Sequence, residues 1–186
     1  MNIRFYGISV CVFCGSACGK DSAYAREMYK LGKHISNNNW NLIYGGGNLG
    51  LMGEIARGFD KSKSKLVSIV PRSLDKKNIL YSKPSKKILV KDLFERKRQM
   101  INLSDYIIVS PGGIGTLDEM LDILALNNLG IQNKKVVVLN LNNYWEPFQK
   151  LLLHIQKNNF LNDNEKCNLY FFDTVNKTIK FIKNNL

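Results

Sequence analysis

Apolar residues along this chain gather into short uninterrupted runs, separated by stretches in which they recur every three or four positions. The runs predict strands at Ile8 to Cys14, Asn41 to Tyr44, Leu66 to Val70, Lys87 to Val90, Tyr106 to Ser110, Val136 to Leu141 and Leu169 to Phe172. Several are apolar at every position, as in Ile107-Ile108-Val109 and Val136-Val137-Val138, which is how strands buried on both faces of a parallel sheet read. Between them, Tyr24, Met28, Leu31 and Ile35 fall at helical spacing, and Phe148, Leu151, Leu152 and Ile155 repeat the pattern, so helices cover the sheet. Repeated strand-helix units with right-handed crossovers predict an α/β architecture: a three-layer, doubly wound, Rossmann-like parallel sheet. No linker or repeat divides the chain, and residues 1–186 read as a single domain. In such sheets ligands sit beyond the carboxyl ends of the strands, near the point where strand order reverses.

Composition narrows the class. Hydrophobic residues make up 45% and charged residues 23%, with 4 Pro and 14 Gly, an ordinary globular balance. No apolar run approaches the roughly 20 residues that cross a bilayer, so no membrane partner is expected. Arg4, the apolar stretch Phe5 to Cys14 and the small residues up to Cys18 mimic a lipoprotein leader. Gly7 and Ser9 interrupt that stretch, however, and a first strand and loop account for it better. Of the cysteines Cys11, Cys14, Cys18 and Cys167, the first two fall on opposite faces of a strand. The set therefore reads as buried reduced thiols rather than metal ligands, which with no targeting signal points to a cytoplasmic protein.

The formal net charge of +12 fits nucleic acid, an anionic surface or a small anionic substrate. No recognition helix or base-stacking motif accompanies it, so no specific nucleic-acid partner is expected. The densest basic stretch, Lys76, Lys77, Lys83, Lys86, Lys87, Lys91, Arg96, Lys97 and Arg98, reads as a solvated face.

Glycine changes the picture. The second predicted strand runs into Gly45-Gly46-Gly47-Asn48-Leu49-Gly50-Leu51-Met52-Gly53, and the fifth into Pro111-Gly112-Gly113-Ile114-Gly115-Thr116-Leu117-Asp118-Glu119. Without Cβ atoms such turns bring backbone N–H groups close to an anion, and the following helix N-terminus adds positive potential. Gly46 and Gly47 in the first loop, and Gly112, Gly113, Ile114, Gly115 and Thr116 in the second, are thus candidate phosphate contacts. Ser16, after the first strand, offers a hydroxyl to the same crevice. Neither loop carries the Lys of a P-loop, and neither has the spacing of a dinucleotide fingerprint. Thr116 to Glu119 also reads as a capping box, with Thr116 as N-cap. Glu95 and Arg98 read as an ion pair one helical turn apart.

These motifs resemble those of the LOG ("Lonely Guy") family, the cytokinin riboside 5′-monophosphate phosphoribohydrolases long labelled possible lysine decarboxylases. The resemblance rests on Cys14-Gly15-Ser16, Tyr44-Gly45-Gly46-Gly47 with Gly50-Leu51-Met52-Gly53, Glu95-Arg96-Lys97, and Pro111 to Thr116 with Glu119. It implies hydrolysis of the N-glycosidic bond of a nucleoside 5′-monophosphate, AMP or an N6-substituted AMP, to free base and ribose 5-phosphate. It also implies Arg96 and Glu119 as the essential pair, Lys97 as a substrate-contacting neighbour, Gly112 to Thr116 as the ribose-phosphate loop, no cofactor or metal, and a homodimer or larger assembly. A non-catalytic nucleotide- or cofactor-binding protein of the same fold is the alternative. Phe94 stands where many members have His, and Ala125-Leu126-Asn127-Asn128 replaces a Thr-Trp-x-Gln segment, positions near the base pocket or dimer contact in the family.

Overall fold

A computed structural model describes residues 5–76, 78–161 and 168–186. Arg4, Lys77 and Cys167 lie outside the described residues. The strands are β1 (Ser9–Phe13), β2 (Asn41–Tyr44), β3 (Leu66–Pro71), β4 (Lys86–Val90), β5 (Tyr106–Val109), β6 (Lys135–Leu139) and β7 (Leu169–Phe172). The helices are α1 (Ser22–Asn37), α2 (Gly50–Gly58), α3 (Leu93–Asn102), α4 (Ile114–Asn128), α5 (Glu146–Lys157) and α6 (Val175–Lys183). All the strands pair in parallel in one sheet of order β4-β3-β2-β1-β5-β6-β7. The predicted architecture and each predicted strand are therefore present.

The uninterrupted apolar runs are explained by burial on both faces. Along β1, Val10 and Val12 pack with Met28, Leu31 and Ile35 of α1, Ile55 of α2 and Ile179 of α6. Cys11 and Phe13 pack with Met100 of α3, Met120 and Ile123 of α4 and Phe148 of α5. Cys11 and Cys14 lie on opposite faces as expected, and both are buried. Cys18, read with them as a buried thiol, is exposed, because it sits in the loop beyond the strand.

The edges read differently. β4 exposes Lys86 and Lys87, charges that discourage further strand pairing, and β7 is half-buried throughout. On α5 the inward reading of Leu151 fails: it is 52% exposed, because this helix covers only the margin of the sheet and buries Phe148 alone. The sixth strand stops at Leu139 rather than Leu141. Asn140 ends it by accepting a hydrogen bond from the Trp145 N–H on its side chain, and Asn142 and Asn143 then turn left-handed.

Strand order reverses between β1 and β5, and β2 flanks β1 on its other side. The carboxyl ends of these strands carry Cys14-Gly15-Ser16, Pro111-Gly112-Gly113 and Gly45-Gly46-Gly47, so three loops open onto one crevice.

Candidate functional site

The crevice is a cavity of about 370 Å³. Its floor is Val12, Cys14 and Met100; Gly15, Ser16, Gly45 and Gly47 border it, with Gly113, Ile114, Gly115 and Thr116 opposite. Arg96 and Glu119 complete the lining.

Arg96 comes from α3, whose start is fixed by sequence. Asp92 is the N-cap, accepting the Glu95 N–H at 2.8 Å, while Glu95 turns back to accept the Lys91 N–H at 2.8 Å. The anticipated Glu95–Arg98 pair is not made, because Glu95 serves this cap instead. The helix then delivers Arg96 to the sheet side, where its guanidinium crosses directly over Gly45. A Cβ at Gly45 would stand 1.9 Å from Arg96 Nη2, so the first glycine of that loop makes room for the arginine.

Glu119 comes from α4, and here the capping-box reading is overturned. The helix starts at Ile114, three residues earlier than that reading required, with Gly113 as N-cap and no side-chain cap. Thr116 is buried inside the first turn, its N–H bonded to the Gly113 carbonyl at 3.0 Å. Glu119, one turn further on, is therefore free to enter the cavity, where it is 8% exposed.

The two side chains meet loosely, with Arg96 Nη2 3.5 Å from Glu119 Oε1. A guanidinium has five N–H donors, and here the buried Nε has no partner. Burial pushes the Glu119 carboxyl up to about 7, against the opposing pull of Arg96. The site thus holds an under-used cation beside a carboxylate near its titration point, an arrangement typical of binding and catalytic clefts.

Facing them, a Cβ at Gly113 or Gly115 would meet nothing within 4 Å. The glycines at the start of α4 leave open space in front of the first N–H groups of a fifteen-residue helix, the local requirement for anion binding.

Not every candidate borders this space. Gly46 (φ +82) is packed under the loop against Val70, and Gly112 lies against the Thr116 hydroxyl. Lys97 leaves the cavity altogether. Its ammonium reaches Asp118 Oδ1 at 2.9 Å and Asp122 Oδ2 at 2.8 Å, both on α4, and is 7% exposed. Phe94 is 79% exposed, and its ring lies 5.5 Å from Lys97 Nζ.

Sequence reasoning missed the roof. Between β3 and β4 the chain folds back over the first glycine loop: the Asn48 N–H donates to Ile79, the Tyr81 N–H donates to Gly46, and Leu80 bridges Gly47. Pro71, Leu74, Ile79 and Leu80 thereby line an apolar half of the cavity. The apolar residues spaced among lysines were the available signal, obscured by the local charge.

A doubly wound α/β protein with an open helix terminus and a buried Arg–Glu pair at the strand reversal has its cavity where sheets of this class hold their ligands. Comparison with known proteins makes this particular. Residues 52–182 match the family described as "Possible lysine decarboxylase". A cytokinin riboside 5′-monophosphate phosphoribohydrolase of Arabidopsis thaliana is 40% identical over 136 residues, 73% of this chain and 60% of that protein. A second from the same plant is 30% identical over 171 residues, 92% of this chain and 80% of that protein. The chain belongs to this LOG family. It spans about 60% of the first of these relatives and 57% of a probable member from rice that is 38% identical.

Among solved structures, the molybdenum cofactor binding protein of Rippkaea orientalis superposes with TM-score 0.69 at 21% identity, over 98% of both chains. DNA processing protein A of Helicobacter pylori superposes with TM-score 0.60 at 15% identity, over 96% of this chain and 81% of that one. These two share the fold.

Proposed function

We propose that this protein is a nucleoside 5′-monophosphate phosphoribohydrolase, hydrolysing the N-glycosidic bond of AMP or an N6-substituted AMP to free base and ribose 5-phosphate. The observation that carries the reading is the buried Arg96 guanidinium, its Nε unpartnered, 3.5 Å from a buried Glu119 and facing the open helix terminus at Gly113. Each part matches one demand of the reaction. The phosphate sits at the N-terminus of α4, held by the N–H groups of Gly113, Ile114 and Gly115 and by the Ser16 hydroxyl, with Gly46, Gly112 and Thr116 shaping the loops beneath. Gly47 borders the sugar. The base lies under Leu74, Ile79 and Leu80, an apolar roof suited to a flat heterocycle.

As the bond from the anomeric carbon to nitrogen breaks, its electron pair leaves with the base, which takes up a proton, and positive charge builds on the sugar. The Glu119 carboxylate stabilises that charge and orients and deprotonates the attacking water, whose oxygen bonds to the anomeric carbon. Arg96 holds sugar or phosphate oxygens with a planar fork that lysine cannot reproduce. The reading needs no cofactor. Lys97 acts behind the site: its two carboxylate partners bind α3 to α4 and so hold Arg96 against Glu119.

The reading treats the chain as one catalytic domain in the cytoplasm, acting as a homodimer or larger homo-oligomer. The outward face of α4 supports assembly: Ile114, Leu121 and Leu129, on one side of the helix, are 81%, 50% and 70% exposed. Among the described residues no helix is long and apolar enough to cross a membrane.

The test is chromatographic detection of free base after incubation with AMP, its N6-isopentenyl derivative and adenosine, for the native chain, Arg96→Ala and Glu119→Ala. Release from the monophosphates alone, lost in both variants, is expected. Tight nucleotide binding without release would favour the alternative, a non-catalytic nucleotide- or cofactor-binding protein of the same fold.

A further inference from the structure

One side chain outside the catalytic cluster touches the phosphate loop at its weakest point. The Gly112–Gly113 peptide joins two glycines, and with no Cβ on either side it can rotate more freely than any other in the loop. Its orientation matters because a trans peptide points its carbonyl and N–H in opposite directions. With the carbonyl turned away, the Gly113 N–H faces the cavity; flipped, it would present an oxygen to an anion.

Tyr144 holds that carbonyl. Its hydroxyl donates to Gly112 O at 2.5 Å, from a second recess of about 260 Å³ behind the loop that shares Gly113 and Ser16 with the main cavity. The tyrosine is itself well fixed. Its ring meets Tyr24 and Trp145 edge-on, with centroids 5.8 and 5.0 Å apart. The turn presenting it has Asn142 and Asn143 at φ 50 and 59. Asn142 Nδ2 donates to Asp21 Oδ2 at 2.6 Å, and the other oxygen of Asp21 caps α1. A chain of hydrogen bonds thus runs from the start of α1, through the β6–α5 turn, to the back of the phosphate loop.

We infer that Tyr144 is a positioning residue: its hydroxyl locks the Gly112–Gly113 peptide with the Gly113 N–H toward the cavity, and so sets affinity for the substrate's phosphate. The bond to the carbonyl also polarises the peptide and makes that N–H a better donor. The inference rests on the phosphate placement proposed above.

Tyr144→Phe removes only the hydroxyl, at a residue 39% exposed. The measurement is calorimetric binding of ribose 5-phosphate and of adenosine, alongside KM and kcat for AMP and a thermal melt. Loss of one neutral hydrogen bond weakens ribose 5-phosphate binding about three- to tenfold. KM for AMP rises by a similar factor, while kcat, adenosine binding and the melting temperature hardly change. Asn142→Gly, which keeps the left-handed turn accessible but cuts the anchor to Asp21, shifts the same quantities in the same direction by less. Undiminished ribose 5-phosphate binding by Tyr144→Phe overturns the inference and leaves the proposed function standing. An equal loss for adenosine overturns it too, marking a merely structural role. A native chain that binds no ribose 5-phosphate overturns both.

Discussion

Replacing Glu119 by glutamine separates what the carboxylate does for stability from what it does for turnover. Burial raises its pKa from the ordinary 4.5 to about 7, so the folded protein holds this proton more tightly than the unfolded chain. The stability that comes with the raised value is fully present below pH 4.5 and is lost as pH rises through about 7, because the folded state must then carry a buried charge. At about 1.4 kcal/mol per pH unit, the interval from 4.5 to about 7 amounts to about 3 kcal/mol. Glutamine is neutral at every pH and nearly isosteric, so it escapes this cost. For a chain of this size, that difference raises the melting temperature by about 6–12 °C. Glu119→Gln is therefore expected to melt close to the native protein at pH 4.5 and well above it at pH 8, while losing turnover by at least about 100-fold. Thermal denaturation of both proteins from pH 4.5 to 8, followed by circular dichroism, gives the gap directly. A gap independent of pH, or a variant less stable at pH 8, would refute the reasoning, because Arg96 would then be supplying more stabilisation than desolvation removes.

The same ionisation shapes activity. kcat/KM should fall about tenfold per pH unit below about 7, on top of the substrate phosphate's own titration near 6; initial rates from pH 5 to 9 that stay flat would remove Glu119 as the ionising group. Gly45→Ala places a Cβ where Arg96 Nη2 now lies; the guanidinium is a flexible tip, so the fold should survive with little change in melting temperature while kcat/KM drops about 100-fold or more, and unimpaired kinetics would show that the seat over Gly45 is dispensable. Lys97→Met breaks both links to Asp118 and Asp122, whose side chains are 59% and 46% exposed and can hydrate, so urea unfolding should show a loss of only about 1 kcal/mol with a modest fall in kcat. A steep rise in KM at unchanged stability would instead place Lys97 on the substrate.

Much of this protein was legible in its residue pattern because parallel sheets demand it. Strands buried on both faces, such as Ile107 to Val109 and Val136 to Val138 at 0% exposure, have no polar alternation to obscure them. Glycine at loop positions following the second and fifth strands marked the crevice for the same kind of reason, since close backbone approach excludes side chains. Local competition was harder to judge. The capping signal at Thr116 was sound chemistry, yet the preceding glycines let α4 start at Ile114, while Glu95, read as the ion-pair partner of Arg98, joined Asp92 in capping α3 instead.

By itself, then, the sequence determined the fold class, the strand set, the family and the glycine loops, and it singled out Arg96 and Glu119 as the candidate pair, because burial periodicity, backbone freedom and motif order are all written in one dimension. Only the tertiary structure decided how those residues work. Arg96 and Glu119 meet because strand order reverses between β1 and β5. Lys97 turns from the cavity to Asp118 and Asp122, an apolar roof returns from the β3–β4 segment, and Tyr144 reaches the back of a loop 32 positions away. These are contacts between elements distant in the chain, and their geometry follows from packing, which no local spacing encodes.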